Sequence, residues 1–531
     1  MKKGKKLLSL ILSATMLSAL AGCGNTEPAA DASVETPEAA TTAETGEAET
    51  EAESEGAPAE AAEWDGEITN IKILLYDLRG AGDKSEEVVK KMNEITEKTI
   101  GVHADITWAA TANYANTANL ALSSGEQLDL LTAIPMDPIS FNALIANNQL
   151  MDISDIMEEE APETLAEMGD YIGGMSVNGR IYGIPCWRNY ASAIYLIMRT
   201  DILEQIGMLD KAQNMTKWSE AEEIWNAVKD QTELAPFGSY RCQAGMMANK
   251  DSFADAKPWD TLGDVYSLVF TDDQGNVALT LDNPDYLSIL KEQRRYWDEG
   301  LVYKDVLTNL DHVDTLTKAG VVFSSVQTSE MGVETSKKEA TGFDETCIEV
   351  MKNMVGSSYV NKFGVAVPVT AQEPEAAVRW VNAVWTNPAL ENLLVWGIEG
   401  IDYVNKNGVA AYPSAEAENS VYHNCDFVYG NYFNALPWEG NDVDFRQQAM
   451  NYLKSATISP LMGFTPNASE LTNTMTAIST VYQKYYKQVL FGTASDEDLE
   501  NYKSELKTAG VDEYISTLQQ QLTEWKETTG K

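Results

Sequence analysis

The sequence predicts an α/β protein whose folded part is divided into two large lobes or more. Two observations carry this. Between Ile68 and Ile134 strand-like and helix-like segments alternate with connections of only a few residues, the pattern of a parallel sheet covered by helices. The body from about Ile68 to Lys531 is also too long for one compact core.

Ahead of that body lie two segments with no means of building a core. Lys2, Lys3, Lys5 and Lys6 precede a short apolar run, Leu7 to Leu20, which ends in Leu20-Ala21-Gly22-Cys23. Such a run is short of the ~20 residues a spanning helix needs. The tetrapeptide resembles a bacterial lipobox, which implies removal of residues 1–22 and a diacylglyceryl group on Cys23. An ordinary cleaved signal is the blander alternative. Residues 23–67 read as a disordered acidic spacer: Gly24 to Glu67 carries fourteen acidic residues, no Lys or Arg, and a single aromatic, Trp64. Its like charges repel and extend it, lifting the body from the lipid surface.

The body's elements follow in order. Ile68–Tyr76 is apolar and β-branched and runs into the loop Asp77-Leu78-Arg79-Gly80, so a buried strand is expected. Ser85 stands as the cap of a helix with Glu86 and Glu87 in its first turn, Val88, Met92 and Ile95 on one face, and Gly101 as its stop. Val102–Trp108 reads as a second strand, Tyr114–Ser124 as a helix, and Asp129–Ile134 as a third strand. Open sheets bind ligands beyond the carboxyl ends of their strands, which singles out Tyr76, Asp77 and Trp108. Further on, Asn178-Gly179-Arg180 is a turn, Ile181–Pro185 a strand, Cys186–Tyr190 a loop and Ser192–Met198 another strand. Met215–Ser219 introduces a helix through Val228. Thr271–Leu281 reads as a hairpin turning at Gly275-Asn276, without the glycine placement and closing Glu of a calcium loop. Helices are expected over Pro284–Gly300 and Pro374–Asn387, and three more from Asn467 to the end, with Ile478, Val481, Tyr485, Ile515, Leu518, Leu522 and Trp525 buried.

Several of these segments resemble a known family. Gly179–Pro185 (GRIYGIP), an aromatic loop, a strand and then MRTDILEQIG resemble the middle of the family-one extracellular solute-binding proteins of ABC transporters. Ser459–Phe464 (SPLMGF), a long helix, Leu490-Phe491-Gly492 and LKTAGVDEYISTLQQQLTEW resemble the C-terminal extension of a Gram-positive lipoprotein branch, as does WGIEGIDYV at Trp396–Val404. The resemblance implies a two-lobed, type II periplasmic-binding-protein-like fold with interdigitated lobes, a hinge and extra C-terminal helices. The expected division is 68–185 in the N-terminal lobe, 186–310 in the C-terminal lobe, 311–372 returning to the N-terminal lobe and hinge, and 373–531 in the C-terminal lobe. It further implies capture of a carbohydrate, most simply an oligosaccharide, and delivery to permease subunits by a monomer held at the extracellular face of the cytoplasmic membrane.

The residues narrow the chemistry independently. The formal charge of −43 leaves about −33 on the body, which excludes nucleic acid as a partner. His103, His312 and His423 show no metal-ligand spacing, and no nucleophile elbow, phosphate loop or dinucleotide fingerprint occurs, so no catalytic residue, metal or cofactor is expected. The remaining cysteines, Cys186, Cys242, Cys347 and Cys425, allow three pairings or none. Aromatics are abundant, with 12 Trp and 23 Tyr. Rings stack on the C–H faces of sugars while carboxylates, amides and guanidinium groups meet the hydroxyl rim. Trp187, Arg188 and Tyr190 form the first candidate group, Tyr240 and Arg241 the second, and Trp438 a third, with Trp259 weaker. Trp297, Trp380 and Trp385 read as core. An extracytoplasmic glycosidase and a sensing or adhesive lipoprotein remain the alternatives, or a peptide or other small polar solute as the guest.

Overall fold

A computed structural model describes residues 63–240, 251–264, 266–272, 274–309 and 311–531. Cys23, the spacer through residue 62, Arg241 and Cys242 lie outside the described residues.

The first lobe begins as expected. Strand β1 (Thr69–Asp77), helix α1 (Glu86–Ile100), strand β2 (Val102–Ala110), helix α2 (Thr111–Ser124) and strand β3 (Leu130–Ala133) form a parallel unit in which β1 pairs with β2 on one side and β3 on the other. From Ile73 to Asp77 every β1 residue is buried, because helices cover both faces. Asn93 fastens α1 to β2, donating from its amide to the Ala104 carbonyl at 3.1 Å and accepting from the Ala104 N–H at 2.9 Å. Ser85 sits at the helix start but does not cap it: its hydroxyl donates to the Gly82 carbonyl at 2.8 Å. Gly101 ends α1 in the left-handed region, φ 67°, and a Cβ there would lie 2.2 Å from the Trp64 indole. Trp64 therefore rests on that glycine, its backbone N–H donating to the Lys98 carbonyl at 2.8 Å, its indole N–H to the Glu67 carbonyl at 3.1 Å, and the Arg379 guanidinium lying 5.0 Å from its ring centroid.

The chain then passes through β4 (Ile184–Pro185) into the second lobe. Strand β5 (Ala193–Arg199), helix α3 (Trp218–Gln231), β6 (Ala235–Tyr240), helix α4 (Pro284–Asp298), β7 (Val322–Ser329) and β8 (Glu345–Lys352) supply a four-stranded sheet ordered β8-β5-β7-β6, antiparallel except between β7 and β6. Trp225 of α3 is buried over this sheet, donating to Ser324 Oγ at 2.9 Å, while Ser324 donates to the Pro236 carbonyl at 2.7 Å. The expected hairpin is present, Val269–Thr271 against Val277–Leu279, and Asp272 accepts from the Asn276 and Gln274 N–H groups as a turn residue.

The lobe boundaries depart from expectation after residue 310. Strands β7 and β8 belong to the second lobe, not to a return into the first. The return comes at β9 (Met354–Val355), and β10 (Gly364–Ala366) inserts antiparallel between β3 and β4, giving the first sheet the order β2-β1-β3-β10-β4. Helices α5 (Pro374–Thr386) and α6 (Pro388–Trp396) follow directly and bury Val378, Trp380, Val384, Trp385, Leu390 and Leu394 in the first core. Residues 373–458 are thus first-lobe residues, because α5 and α6 pack on the sheet that β10 has just joined. Strand β11 (Thr457–Ile458) carries the chain back, and α7 (Thr472–Leu490), α8 (Asp496–Thr508) and α9 (Val511–Thr529) complete the second core. Their stripe is the expected one except that Val481 and Ile515 are half-buried, and Val489 and Tyr514 take deep positions instead. Gln519 of α9 accepts from the Val277 N–H at 2.7 Å, tying the last helix to the hairpin. Trp380 and Trp385 are core, whereas Trp297 is half-buried. Cys186 and Cys347 are free thiols. Among the described residues no helix is long and apolar enough to cross a membrane.

Glu391, on α6, is completely buried beneath Gly430, and burial raises its carboxyl to about 8. A carboxyl raised on folding contributes full stability below its unfolded value of about 4.3 and loses it as pH rises through the folded one. The melting temperature of the protein should therefore fall relative to that of Glu391→Gln between pH 5 and pH 8. Parallel curves for the two proteins in a pH series of thermal melts would show that this carboxyl is not the cause.

Candidate functional site

Three chain crossings join the two cores, near residues 192, 353 and 459. They lie side by side because their backbones pair. The Asn353 N–H donates to the Ser192 carbonyl at 2.9 Å and its side-chain amide to Ser192 Oγ at 2.9 Å. Strands β9 and β11 run parallel, and the Ser459 N–H donates to the Val355 carbonyl at 2.9 Å.

A cavity of about 200 Å³ opens beside this junction. The first lobe contributes Asn142, from the short helix Phe141–Ala146 after β3, and the second contributes Trp259, Asp260 and Leu262. The crossing segments add Asn353, Ser357, Tyr359, Asn361 and Phe464. Trp259 is half-buried, supported by Phe270 at 5.0 Å between centroids and by the edge of Tyr286 at 6.3 Å. Asp260 accepts from the Ser459 hydroxyl and, at 2.7 Å, from the Leu262 N–H. Asn361 reaches Asn142 at 3.5 Å, so amides of the junction and of the first lobe meet. Aromatic faces beside a rim of amides, hydroxyls and a carboxylate suit a polyhydroxylated guest.

Next to the cavity lies a charged group drawn from both lobes. Arg188 follows β4, Lys362 and Tyr359 follow β9, and Glu330 follows β7. Arg188 donates to the Asn189 carbonyl at 3.2 Å and the Tyr359 carbonyl at 3.5 Å, and the Lys362 ammonium lies 4.9 Å from the Tyr359 ring centroid. Loss of solvent raises the Glu330 carboxyl against the opposing pull of Arg188 and Lys362, and lowers the Lys362 ammonium, which Arg188 lowers further. Beyond them the Tyr195 hydroxyl of the second lobe stands 3.4 Å from that of Tyr452 in the first.

Most residues singled out from the sequence lie elsewhere. Tyr76 is buried, its hydroxyl 2.9 Å from Thr111 Oγ1. Asp77 holds its own loop, accepting from the Gly80, Ala81 and Gly82 N–H groups. Trp108 is half-buried and edge-on to Tyr422 and Tyr429. Trp187 is only 3% exposed: it stacks on Trp385 at 6.2 Å, meets Tyr171, Tyr190 and Phe433 edge-on, and donates from its indole to Glu167 at 3.0 Å. It presents no open ring face for stacking. Tyr190 is equally buried, its hydroxyl donating to the Cys186 carbonyl. Within that loop only Arg188 remains accessible. Trp438 packs against Trp396, Tyr412 and His423 in a small satellite core of the first lobe. Tyr240 ends β6, and Arg241 is outside the described residues. Trp259, Asp260, Tyr359, Asn142 and Asn361 line the cavity without a sequence signal stronger than the loop Pro258-Trp259-Asp260. His103 contacts Glu97 at 2.6 Å, and His423 is buried among rings that hold it neutral, its pKa lowered to about 3. Among the described residues no group of three or more His, Cys, Asp or Glu could hold a metal ion.

Comparison with solved structures decides the fold. The N-glycan transport solute binding protein NgtS of Streptococcus pneumoniae superposes with a TM-score of 0.66 at 20% identity, over 86% of this chain and 99% of that one. The chain shares its fold with the solute-binding proteins of ABC transporters. A solute-binding protein from Bifidobacterium longum infantis, described as HMO binding, matches with a TM-score of 0.58 at 15% identity over 86% of this chain and 99% of its own. At the sequence level the chain is 22% identical over 465 residues to a carbohydrate ABC transporter substrate-binding protein of Streptococcus pneumoniae serotype 4, covering 85% of this chain and 90% of the relative. Residues 460–527 match a family model described as a domain of unknown function, DUF3502. That match spans the C-terminal helices of this solute-binding-protein fold.

Because Trp187 is enclosed by four rings and hydrogen-bonded, Trp187→Ala should lower stability by about 3–5 kcal/mol, as cavity-forming Trp substitutions do. Urea unfolding checks this, and an unchanged midpoint would return the indole to the list of ligand contacts.

Proposed function

We propose that this chain is the extracellular, lipid-anchored receptor of an ABC importer, a monomer that captures a carbohydrate, most simply an oligosaccharide, between its lobes and presents it to the membrane permease. The observation that carries the reading is the junction cavity, in which Trp259 and Asp260 of one lobe face Asn142 of the other across Ser357, Tyr359 and Asn361. A guest touching both lobes makes contacts in a closed arrangement that an open one lacks, so binding favours closure. Relatives of this fold support the ligand class: NgtS has been solved with Man5GlcNAc, and the Streptococcus pneumoniae protein FusA with kestose. Lipid attached at Cys23 and the acidic spacer would keep the receptor at high local concentration near its permease. The chain binds and releases its guest without chemical turnover in this reading, and the transporter supplies the energy.

A thermal-shift screen of the protein against neutral and acidic oligosaccharides tests it, since a ligand held at a hundred times its Kd stabilises the folded form by about 2.7 kcal/mol. The expected result is a saturable rise in Tm with no release of reducing ends. Trp259→Ala should weaken that binding by about tenfold or more, a stacked ring being worth about 1.4 kcal/mol or more in such a site. Release of reducing ends would replace the receptor by a glycosidase.

A further inference from the structure

This sequence holds 81 acidic residues against 38 Lys and Arg, so a counterion is seldom far from any cation. Six of the eight arginines among the described residues are paired with carboxylates, for example Arg180 with Asp152 at 2.6 Å, Arg379 with Glu160 at 3.2 Å and Arg446 with Asp426 at 2.7 Å. A seventh, Arg79, is exposed to solvent. Arg188 is different: it is half-buried at the junction of the lobes, and no carboxylate among the described residues comes within salt-bridge distance of it. Lys362 is exposed, likewise has no carboxylate among the described residues within salt-bridge distance, and stands beside it, both cations lying against Tyr359, one at its carbonyl and the other at its ring.

Placing two like charges together without a contacting counterion is costly where solvent is partly excluded. Glu330 does not cancel them. Ser329 pairs with Ala193, which brings Glu330 beside the Arg188 loop, where its carboxylate engages the Asn189 side chain and is near enough to influence both cations without an ion pair to either. Both cations thus stand on Tyr359, a residue that lines the junction cavity, with the Glu330 carboxylate nearby. Arg188 spends one N–H from each terminal nitrogen on backbone carbonyls, so three of its five remain to offer, beside the three of Lys362.

We infer that the guest of this cleft is an acidic saccharide, whose carboxylate, of the uronic or sialic acid kind, sits between Arg188 and Lys362 while Glu330 accepts from the neighbouring hydroxyls. The inference rests on the carbohydrate reading above and names the class of sugar. A planar carboxylate suits a guanidinium fork, and charge-assisted bonds of this kind are the strong ones in a site that also stacks rings. The local positive pair would also set such a guest apart from the remainder of an acidic surface that repels it.

Isothermal titration of the protein with trigalacturonate and 3′-sialyllactose, beside galactotriose and lactose, tests this at low and at moderate salt. An acidic probe should bind more tightly than its neutral counterpart and lose affinity as salt rises. Lys362 is exposed, so K362Q keeps the fold, and it should weaken the acidic probe by about tenfold while leaving a neutral probe within about twofold. Arg188→Gln is the second variant and should act in the same direction. Neutral probes binding as tightly as acidic ones, indifferent to K362Q, would overturn the acidic guest and leave the carbohydrate receptor standing. Binding of no saccharide from either set would overturn both.

Discussion

The pairing of three chain crossings holds this molecule's parts in register. Ser192, Asn353 and Ser459 bring them together with main-chain and side-chain hydrogen bonds, and β9 and β11 are only two residues long. Everything else about the junction follows from that narrowness. Two sheets with different strand orders can each complete a core of their own, because so little chain is shared between them. A short bundle of crossings also concentrates any change of backbone angle into a few residues, which is how hinge closure is built in two-lobed proteins. The cavity lies there because the junction is where both lobes and the connecting chain meet.

Legibility in the sequence tracked the length of the element. Strands β1 to β3 and helices α1, α4, α5 and α7 to α9 are long enough for a hydrophobic period to emerge, and all were readable. The crossings were not. Two-residue strands carry no periodicity, so nothing in residues 352–355 or 457–458 marks where the chain changes lobes, and the returns were placed wrongly by tens of residues. Strand β10 compounds this, as three residues inserted between β3 and β4 draw all of α5 and α6 into the first lobe.

The site was harder still, because aromatic content does not say which rings are open. Trp187 and Tyr190 sit in a polar-looking loop, yet Trp385 and Phe433, remote in sequence, close over the indole. Asp77 lies at a strand's carboxyl end where a ligand contact is plausible by position, but three N–H groups of its own loop occupy it. Trp259 is the opposite case: the weaker candidate of the sequence, which tertiary packing leaves half-open at the junction. Arg188, also named from the sequence, is the one residue of its loop that stays accessible, half-buried beside Tyr359 at the junction.

The end of the chain bears on all of this. Helix α9 belongs to the second core, but Lys531 donates to the Met462 carbonyl at 3.0 Å beside the crossings, and the Thr529 methyl group lies 3.9 Å from where a Cβ on first-lobe Gly179 would be. The last turn of α9 consequently touches both lobes, so any swing of one against the other has to shift these two contacts.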